Sequence, residues 1–383
     1  MSIIVIVKPP FRDCRFLATI VVLFAVLWTV TAWYSYRYWV HGADHRDFYP
    51  LWAGTRWLIS GSPDVYSPRA THFIQVTLYG AALPPERDQQ GFAYPAHLAL
   101  LLAPFALISD VEIATAVWQG FTLVVLLGCL LLLRTAVNPS IPLYVPAALV
   151  FWHYPLLMLF QGQVTVLAVL AISGAVVFYQ RRQDGIAGLL LAAGTVKPEL
   201  ALAPLITLVI HAFFSKRFSL LIGLFASGAG LFLGSLMLAG WWVPGWLIRL
   251  EEYTGYSKIF WTAATLWQIH PLLLAGLLVY AGASLWLTRK DAPGLIGAAT
   301  AVGMLLLPQT LNWGLTLLTV PLLIAWKQHA RFVVLSAWAA GWLALFIAPL
   351  PDWWKIQSAG LPVLALTAVL LSRLPLGKQN HPL

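Results

Sequence analysis

Charged residues are scarce in this chain of 383 amino acids. Asp, Glu, Lys and Arg together make up 10% of the sequence, whereas an ordinary soluble domain carries roughly 25%. Apolar residues make up 60%, so the composition excludes a water-soluble enzyme and indicates an integral membrane protein. Because a spanning helix needs about 20 residues, the chain has room for roughly ten to thirteen spans and for no separate soluble domain.

Cysteine is also rare, and several soluble-enzyme motifs are missing. The two cysteines, Cys14 and Cys129, lie far apart in the predicted topology and predict neither a disulfide nor a metal site. The sequence has no glycine-rich phosphate loop, no His-Glu-x-x-His and no serine nucleophile elbow. Any chemistry must therefore come from polar residues between the spans.

Long apolar runs predict an all-α polytopic fold that forms a single integral membrane domain over residues 1–383. The first run, from about Phe16 to Tyr36, has no small-residue cleavage site after it and is predicted to be a retained anchor. We expect about twelve spans, centred near residues 26, 122, 150, 172, 191, 207, 228, 280, 301, 321, 340 and 365.

The placement of charge predicts the orientation of these spans. The formal net charge is +9, but with the N-terminus in the cytoplasm every short inner turn carries a basic residue and most acidic residues fall outside. The positive charge is therefore interpreted as topology rather than nucleic-acid binding. We expect a multi-pass protein of the inner (plasma) membrane with both termini in the cytoplasm.

The first outer loop, residues 37–110, is the longest polar segment. It contains DHRDFYPLWAGTRWLISGSPDVYSP at residues 44–68 and the apolar stretch YPAHLALLLAPFALI at residues 94–108. The second stretch is short and is broken by Pro104, so we expect it to form a juxtamembrane helix. Carboxylates placed outside the bilayer favour an enzyme acting where a lipid head group meets water.

The residues of this loop carry a family resemblance. DFYPLWAGTRWLISGSPDVYSP resembles the DFxxYYxAAxALLxGxDPYxP segment of glycosyltransferase family 87. The resemblance continues, in the same order, through GFAYPAHLALLLAPFAL, FQGQVTVLAVL and GLLLAAGTVKPELALAPL, and covers about residues 44–214. The C-terminal third matches weakly, and the family's Ser-x-x-Trp segment with its following histidine is replaced here by Gln309 to Gly314.

This resemblance implies a GT-C type membrane glycosyltransferase with its active site on the outer face. Such an enzyme moves a sugar, usually mannose and in some members arabinose, with inversion from a polyprenyl phosphate to a lipid or glycan acceptor. The partners implied are this donor, the acceptor and membrane lipids, with no nucleic acid. No metal or other cofactor is expected, since the family lacks the Asp-x-Asp motif of nucleotide-sugar enzymes.

The resemblance places the catalytic aspartate at Asp47. A carboxylate that accepts the proton of an attacking sugar hydroxyl can accelerate transfer roughly 100- to 10,000-fold. Asp47 also precedes a predicted helix and could be only its N-cap. Asp44 is the rival base, and Asp64 is more typical of a turn.

A leaving phosphate needs positive charge and hydrogen-bond donors. Lys197 is the first candidate for this role, since an ammonium between two apolar half-spans is costly without a partner. It could instead pair with Glu199 or reach the interface. The other candidates are Arg249, Lys258 and His270.

Further cavity residues come from the other outer segments. They are Tyr94, Gln161, Gln163, Glu199 and Asn312. The two glutamines could bind sugar hydroxyls or merely close a tight turn around Gly162, and His270 could merely hydrogen-bond a carbonyl. A transporter or flippase, and a transferase for another lipid-linked group, are the alternative functions.

Overall fold

The computed structural model describes residues 14–40, 47–84, 87–256, 259–310, 312–348, 350 and 352–373. Almost all regular structure in these ranges is helical. The α-helices are α1 (Cys14–Ser35), α2 (Phe48–Ile59), α3 (Pro68–Tyr79), α4 (Leu98–Ala106), α5 (Val111–Val137), α6 (Tyr144–Val150), α7 (His153–Gln161), α8 (Thr165–Gln180), α9 (Asp184–Ala193), α10 (Pro198–Phe214), α11 (Ser219–Ala239), α12 (Val243–Tyr256), α13 (Thr262–Ile269), α14 (Pro271–Thr288), α15 (Ala292–Leu306), α16 (Thr319–Ile324), α17 (Arg331–Trp342), α18 (Ala344–Ile347) and α19 (Trp353–Leu371).

Short non-α elements complete the list. A π-helical turn, Tyr36–Val40, extends α1, and 3₁₀ turns occupy Gly194–Val196 and Asn312–Leu318. Strand β1 (Ile259–Phe260) pairs antiparallel with β2 (Gln309–Thr310).

Within the described residues, five helices are long and apolar enough to cross a membrane. They are Ala18–Val40, Val111–Val137, Ser219–Ala239, Pro271–Thr288 and Trp353–Leu371. Six shorter apolar helical segments accompany them: Thr165–Gln180, Asp184–Val196, Pro198–Phe214, Ala292–Leu306, Trp313–Ile324 and Arg331–Ile347. The predicted class, an all-helical polytopic membrane protein, is confirmed. The count of twelve spans stays a prediction, because the shorter segments fall below the length that a full crossing needs.

The predicted span centre near residue 150 falls on a break between α6 and α7. All the other predicted centres lie inside one of the apolar helical segments. Pro155 explains the break, because a proline ring within a continuous helix would clash with the carbonyl of Phe151. The indole of Trp152 donates to the carbonyl of Trp338 at 2.8 Å, and the indole of Trp338 donates to the carbonyl of Ala148 at 3.0 Å.

The outer helices present apolar side chains to their surroundings. Leu23 of α1, Met237 of α11 and Val279 of α14 are 63%, 88% and 72% exposed. In contrast, nearly all of α8, α15 and α16 is buried. Large exposed apolar side chains on peripheral helices are what a lipid-facing surface requires.

The segment before α5 is packed as a compact layer that contains α2, α3 and α4. The indole of Trp52 donates to the carbonyl of Ile108 at 3.0 Å, and Arg56 donates to the carbonyl of Ala106 at 2.8 Å. Both bonds tie α2 to the C-terminal end of α4. These helices lie inside the predicted loop 37–110, whose membrane placement remains a prediction, as do the domain boundaries.

Candidate active site

Asp47 immediately precedes α2 and is held in place by its neighbour Phe48. The Phe48 ring is fully buried and stacks on Trp118, with centroids 5.5 Å apart and planes 11° apart. Asp47 itself is partly exposed and makes no capping hydrogen bond. Its carboxylate instead accepts a hydrogen bond from Nε2 of Gln163. In the Asp-Phe pair, Phe48 therefore anchors the chain by its buried ring, and Asp47 presents a carboxylate that is bound by Gln163.

A tight turn at the end of α7 brings Gln163 to this carboxylate. The amide of Gly162 donates to the carbonyl of Leu159, and the amide of Gln163 donates to the carbonyl of Met158, both at 3.1 Å. This is the Schellman arrangement, which needs a left-handed residue, and Gly162 has φ +69°. A Cβ at Gly162 would also lie 2.7 Å from Cβ of Phe48. The turn thus requires glycine both for its backbone and for the close approach of Phe48.

Lys197 completes a hydrogen-bonded chain behind Gln163. It lies between the 3₁₀ turn after α9 and the first residue of α10, and is 3% exposed. Its Nζ donates to Oε1 of Gln163 and to Oγ1 of Thr165, both at 3.1 Å. An ammonium has three N–H donors, so these two bonds leave one N–H for another oxygen.

Tyr94 forms a wall beside the ammonium. Nζ of Lys197 lies 5.8 Å from the centroid of the Tyr94 ring, within the range of a cation–π contact. The Tyr94 hydroxyl also donates to Oε1 of Gln163 at 3.4 Å, and its backbone carbonyl accepts from the hydroxyl of Tyr66 at 2.7 Å. Tyr94 therefore links the first-loop layer to the buried lysine.

Burial and charge adjust the acidity of this chain of side chains. Burial raises the pKa of Asp47 to about 6, against the opposing effects of the Gln163 hydrogen bond and the positive charge of Lys197. Burial lowers the pKa of Lys197, against the negative charges of Glu199 and Asp47. A carboxylate whose pKa lies close to neutral pH is suited to accept a proton during a reaction. In this cluster each charged group helps to keep the other ionised.

A cavity of about 220 Å³ adjoins the cluster. Its lining includes residues on both sides of Lys197 along the chain, one acidic residue in the first turn of α10, and aromatic residues of the first loop and of α12. These are Tyr94, Val196, Pro198, Glu199, Trp246 and Tyr253. The indole of Trp246 donates to the carbonyl of Ala93 at 3.1 Å, which fixes α12 over the site. Aromatic walls with one acidic group are suited to a sugar, whose faces are apolar and whose edge carries hydroxyls.

The structure brings together five of the residues predicted from the sequence. They are Asp47, Tyr94, Gln163, Lys197 and Glu199. Gln161 ends α7 with its side chain partly exposed.

Other predicted residues lie apart from this cluster or outside the described side chains. His270 is exposed and caps α14, since its Nδ1 accepts from the amide of Leu272 at 3.2 Å. Asn312 begins a 3₁₀ turn, but its side chain lies outside the described residues, as do Asp44 and Lys258.

The remaining charged candidates have structural partners. Arg249 is buried and donates to the carbonyl of Tyr66 at 3.1 Å and to Thr71 at 2.6 Å, and it pairs with Glu252 at 2.8 Å. Asp64 accepts hydrogen bonds from Trp57 and Ser67, both at 3.0 Å. Among the described residues no group of three or more His, Cys, Asp and Glu side chains could hold a metal ion.

Sequence reasoning missed Thr165, Trp246 and Tyr253. Thr165 carried a signal, because it lies in the FQGQVTVLAVL stretch that resembles family 87 and its hydroxyl can accept a hydrogen bond. The two aromatic residues of α12 belong to the aromatic outer segment from Ala239 to Trp261, which is a candidate cavity wall by its sequence; they were not singled out, since aromatic side chains near an outer turn are also typical of membrane interfaces.

Comparison with known protein families gives one match. The sequence model of glycosyltransferase family 87 matches residues 92–308, more than half of the chain. The chain belongs to glycosyltransferase family 87. It is therefore a membrane glycosyltransferase, as the resemblance implied. The matched region contains Tyr94, Gln163 and Lys197 and begins after Asp47. Searches among curated proteins and among solved structures found no significant match.

Proposed function

We propose that this family 87 enzyme transfers a hexose, mannose in the first instance, with inversion from a polyprenyl phosphate to a lipid or glycan acceptor. One observation carries the proposal. The partly buried carboxylate of Asp47 is joined through Gln163 to the buried ammonium of Lys197 beside an aromatic cavity. A single carboxylate and a single cation are the charged groups that direct displacement of a phosphate by a hydroxyl requires.

The proposed step assigns one role to each group. The acceptor hydroxyl gives its proton to Asp47 while its oxygen forms the bond to the anomeric carbon. The bond from that carbon to the phosphate oxygen breaks, and the electron pair leaves with the phosphate. Lys197 donates its remaining N–H to a phosphate oxygen and so stabilises the leaving charge. Gln163 hydrogen-bonds both the base and the cation and so fixes their relative positions. No metal ion or other cofactor takes part.

The remaining residues are assigned to binding. Tyr94, Trp246 and Tyr253 would contact the faces of the sugar, and Glu199 would accept hydrogen bonds from its hydroxyls. Gln161 and Asn312 are kept as acceptor-side candidates. His270 is a weaker candidate, because in the structure it caps a helix.

The proposed orientation places the site at the outer face of the inner membrane, within a GT-C type fold of about twelve spans. Thr165 and Pro198 begin α8 and α10 at the cluster, whereas Arg181 and Lys216 follow the opposite ends of these helices. Basic turns favour the cytoplasmic side. This arrangement supports an outward-facing site with both termini inside.

The test is sugar transfer in membranes from radiolabelled polyprenyl-phosphate mannose, with the arabinose donor run in parallel. We expect Asp47→Asn to reduce transfer roughly 100- to 10,000-fold. Asp64→Asn is the matched control, because it removes the same charge from the same loop at a turn residue; it should retain activity.

Asp44→Asn tests the rival base. Full transfer by Asp47→Asn together with loss in Asp44→Asn would move the base to Asp44. Absence of transfer from either donor by the wild type would refute the donor assignment.

A further inference from the structure

A second polar cavity, of about 660 Å³, lies at the opposite end of α8 and α10 from the candidate active site. Three turns meet there, those that follow α8, α10 and α14, and they supply Arg182, Arg217, Arg289 and Lys290 to its lining. Because α8 has 16 residues, the two sites are about 24 Å apart along its axis. This cavity is separate from the transferase chemistry.

The positive charge of this cavity is only partly neutralised. Arg217 is satisfied, since it pairs with Asp184 and its guanidinium lies 3.2 Å from the centroid of the Tyr179 ring. The one carboxylate in the lining, Asp291, pairs with Arg373 and caps α15 through the amide of Gly294 at 2.8 Å.

The other three cations of the lining remain without a counter-charge in the described part of the chain. No described carboxylate pairs with Arg182, Arg289 or Lys290, and all three side chains are exposed. Arg289 stacks on the Trp286 ring at 3.6 Å and donates to the Trp286 carbonyl at 2.6 Å, but neither contact supplies a negative charge. The cavity is therefore complementary to an anion.

An apolar groove of about 580 Å³ continues from this cavity between α10 and α14. The two spaces share His211, Ser215 and Arg289. The rest of the groove is mostly apolar, and its lining includes Ile210, Phe214, Gly282, Leu285, Trp286 and Leu295. A cluster of cations that opens into an apolar channel along two apolar helices is complementary in shape and polarity to a phospholipid.

We propose that this cavity and groove bind one anionic phospholipid. The phosphate group would lie among Arg182, Arg289 and Lys290, and one acyl chain would lie in the groove against α10 and α14. The proposal does not depend on the transferase assignment. Its occupant is a membrane lipid rather than a free anion, because the groove would otherwise leave its apolar walls without a partner.

The experiment measures thermal stabilisation of the full chain in detergent on titration with phosphatidylglycerol, phosphatidylcholine or inorganic phosphate. We expect saturable stabilisation by phosphatidylglycerol, little by phosphatidylcholine and none by phosphate. The double variant Arg182→Gln/Lys290→Gln should weaken the lipid affinity by about five-fold for each charge removed. Neither side chain has an ion-pair partner among the described residues, so folding should be unaffected.

Matched controls separate this site from general surface charge and from general damage. Arg181→Gln/Lys216→Gln removes two exposed charges from the turns after α8 and α10, but neither residue lines the cavity. This pair should change the affinity much less. Gly282→Phe fills the groove, whereas Gly276→Phe on the same helix does not, and a Cβ at either position meets open space. Only the first should weaken lipid binding.

Three results would overturn the proposal. The first is equal thermal stabilisation by phosphatidylglycerol and phosphatidylcholine. The second is an equal loss of lipid affinity in the two double charge variants. The third is thermal stabilisation by inorganic phosphate as large as that by phosphatidylglycerol. If Gly282→Phe does not fold, the comparison of the charge pairs decides alone.

Discussion

Replacing Asp47 by Asn should make the protein more stable at neutral pH while it removes activity. Burial raises the pKa of this carboxyl from its ordinary 3.8 to about 6. Keeping it ionised therefore costs the folded protein about 3 kcal/mol above pH 6, since a tenfold change in acidity corresponds to about 1.4 kcal/mol. Asn carries no charge, and its carbonyl can still accept from Gln163.

The sign of the pH dependence follows from proton binding. Between about pH 4 and pH 6 the folded protein retains a proton at Asp47 that the unfolded chain has released, so wild-type stability falls as pH rises through this range. The variant lacks this slope. The unfolding midpoint of the variant should therefore exceed that of the wild type by an amount that grows from pH 4 to pH 7 and then stays constant. In a chain of this size the difference should be a few degrees at most.

The assay is thermal unfolding in detergent, followed by tryptophan fluorescence across this pH range and paired with the pH profile of kcat/KM for sugar transfer. The wild-type profile should fall on the acid side with an apparent pKa near 6. Asp64→Asn, the control in the same loop, should keep the wild-type pH profile of transfer. Because both oxygens of the Asp64 carboxylate accept hydrogen bonds, from Trp57 and Ser67, its replacement should lower stability rather than raise it. If the stability difference between wild type and Asp47→Asn does not change with pH, the inference that burial raises the pKa of Asp47 is wrong.

Three further predictions test how the site is built. Gly162→Ala should destabilise the fold by about 2 kcal/mol or more and reduce transfer at least tenfold, because a Cβ there strains the turn and displaces Phe48; unfolding midpoints and transfer rates check this. Lys197→Met should reduce transfer at least about 100-fold and move the acid limb of any residual activity to higher pH, because the cation lowers the pKa of Asp47; loss of activity without a shift in that limb would argue against the coupling. His270→Ala should cost about 1 kcal/mol of stability through loss of the α14 cap and leave kcat within about twofold; a large fall in kcat would return His270 to the site.

The close coupling of the charged groups means that each replacement also changes the ionisation of the group that remains. Removing the carboxylate relieves a burial penalty, whereas removing the ammonium takes away the charge that offsets part of it. Gly162→Ala acts on neither charge and changes only where they lie. A gain in stability together with a loss of activity at Asp47 is the behaviour expected where function requires a destabilised group.

The amino-acid sequence alone determined the class of protein and indicated several candidate site residues. Apolar runs long enough to cross a bilayer predict helices because no other local structure satisfies the backbone inside lipid. The resemblance to family 87 indicated the Asp-Phe pair at Asp47, Gln163 came from a short outer segment, and Lys197 stood out because an ammonium between two apolar half-spans is costly without a partner.

Only the tertiary structure decided which of these residues meet. Gln163 is 116 residues from Asp47 along the chain and 34 from Lys197, and periodicity contains no information about contacts at such separations. The same is true of His270, which a turn sequence could place in the site and which the structure places at a helix cap.

The break between α6 and α7 and the second polar cavity with its apolar groove likewise depend on packing. The first follows from one proline and a pair of reciprocal tryptophan hydrogen bonds 186 and 190 residues apart in sequence. The second follows from the packing of α8, α10 and α14, which brings the basic turns after these helices to one cavity. Local preferences set each helix and each turn, whereas close packing between distant helices sets the distances on which binding and catalysis depend.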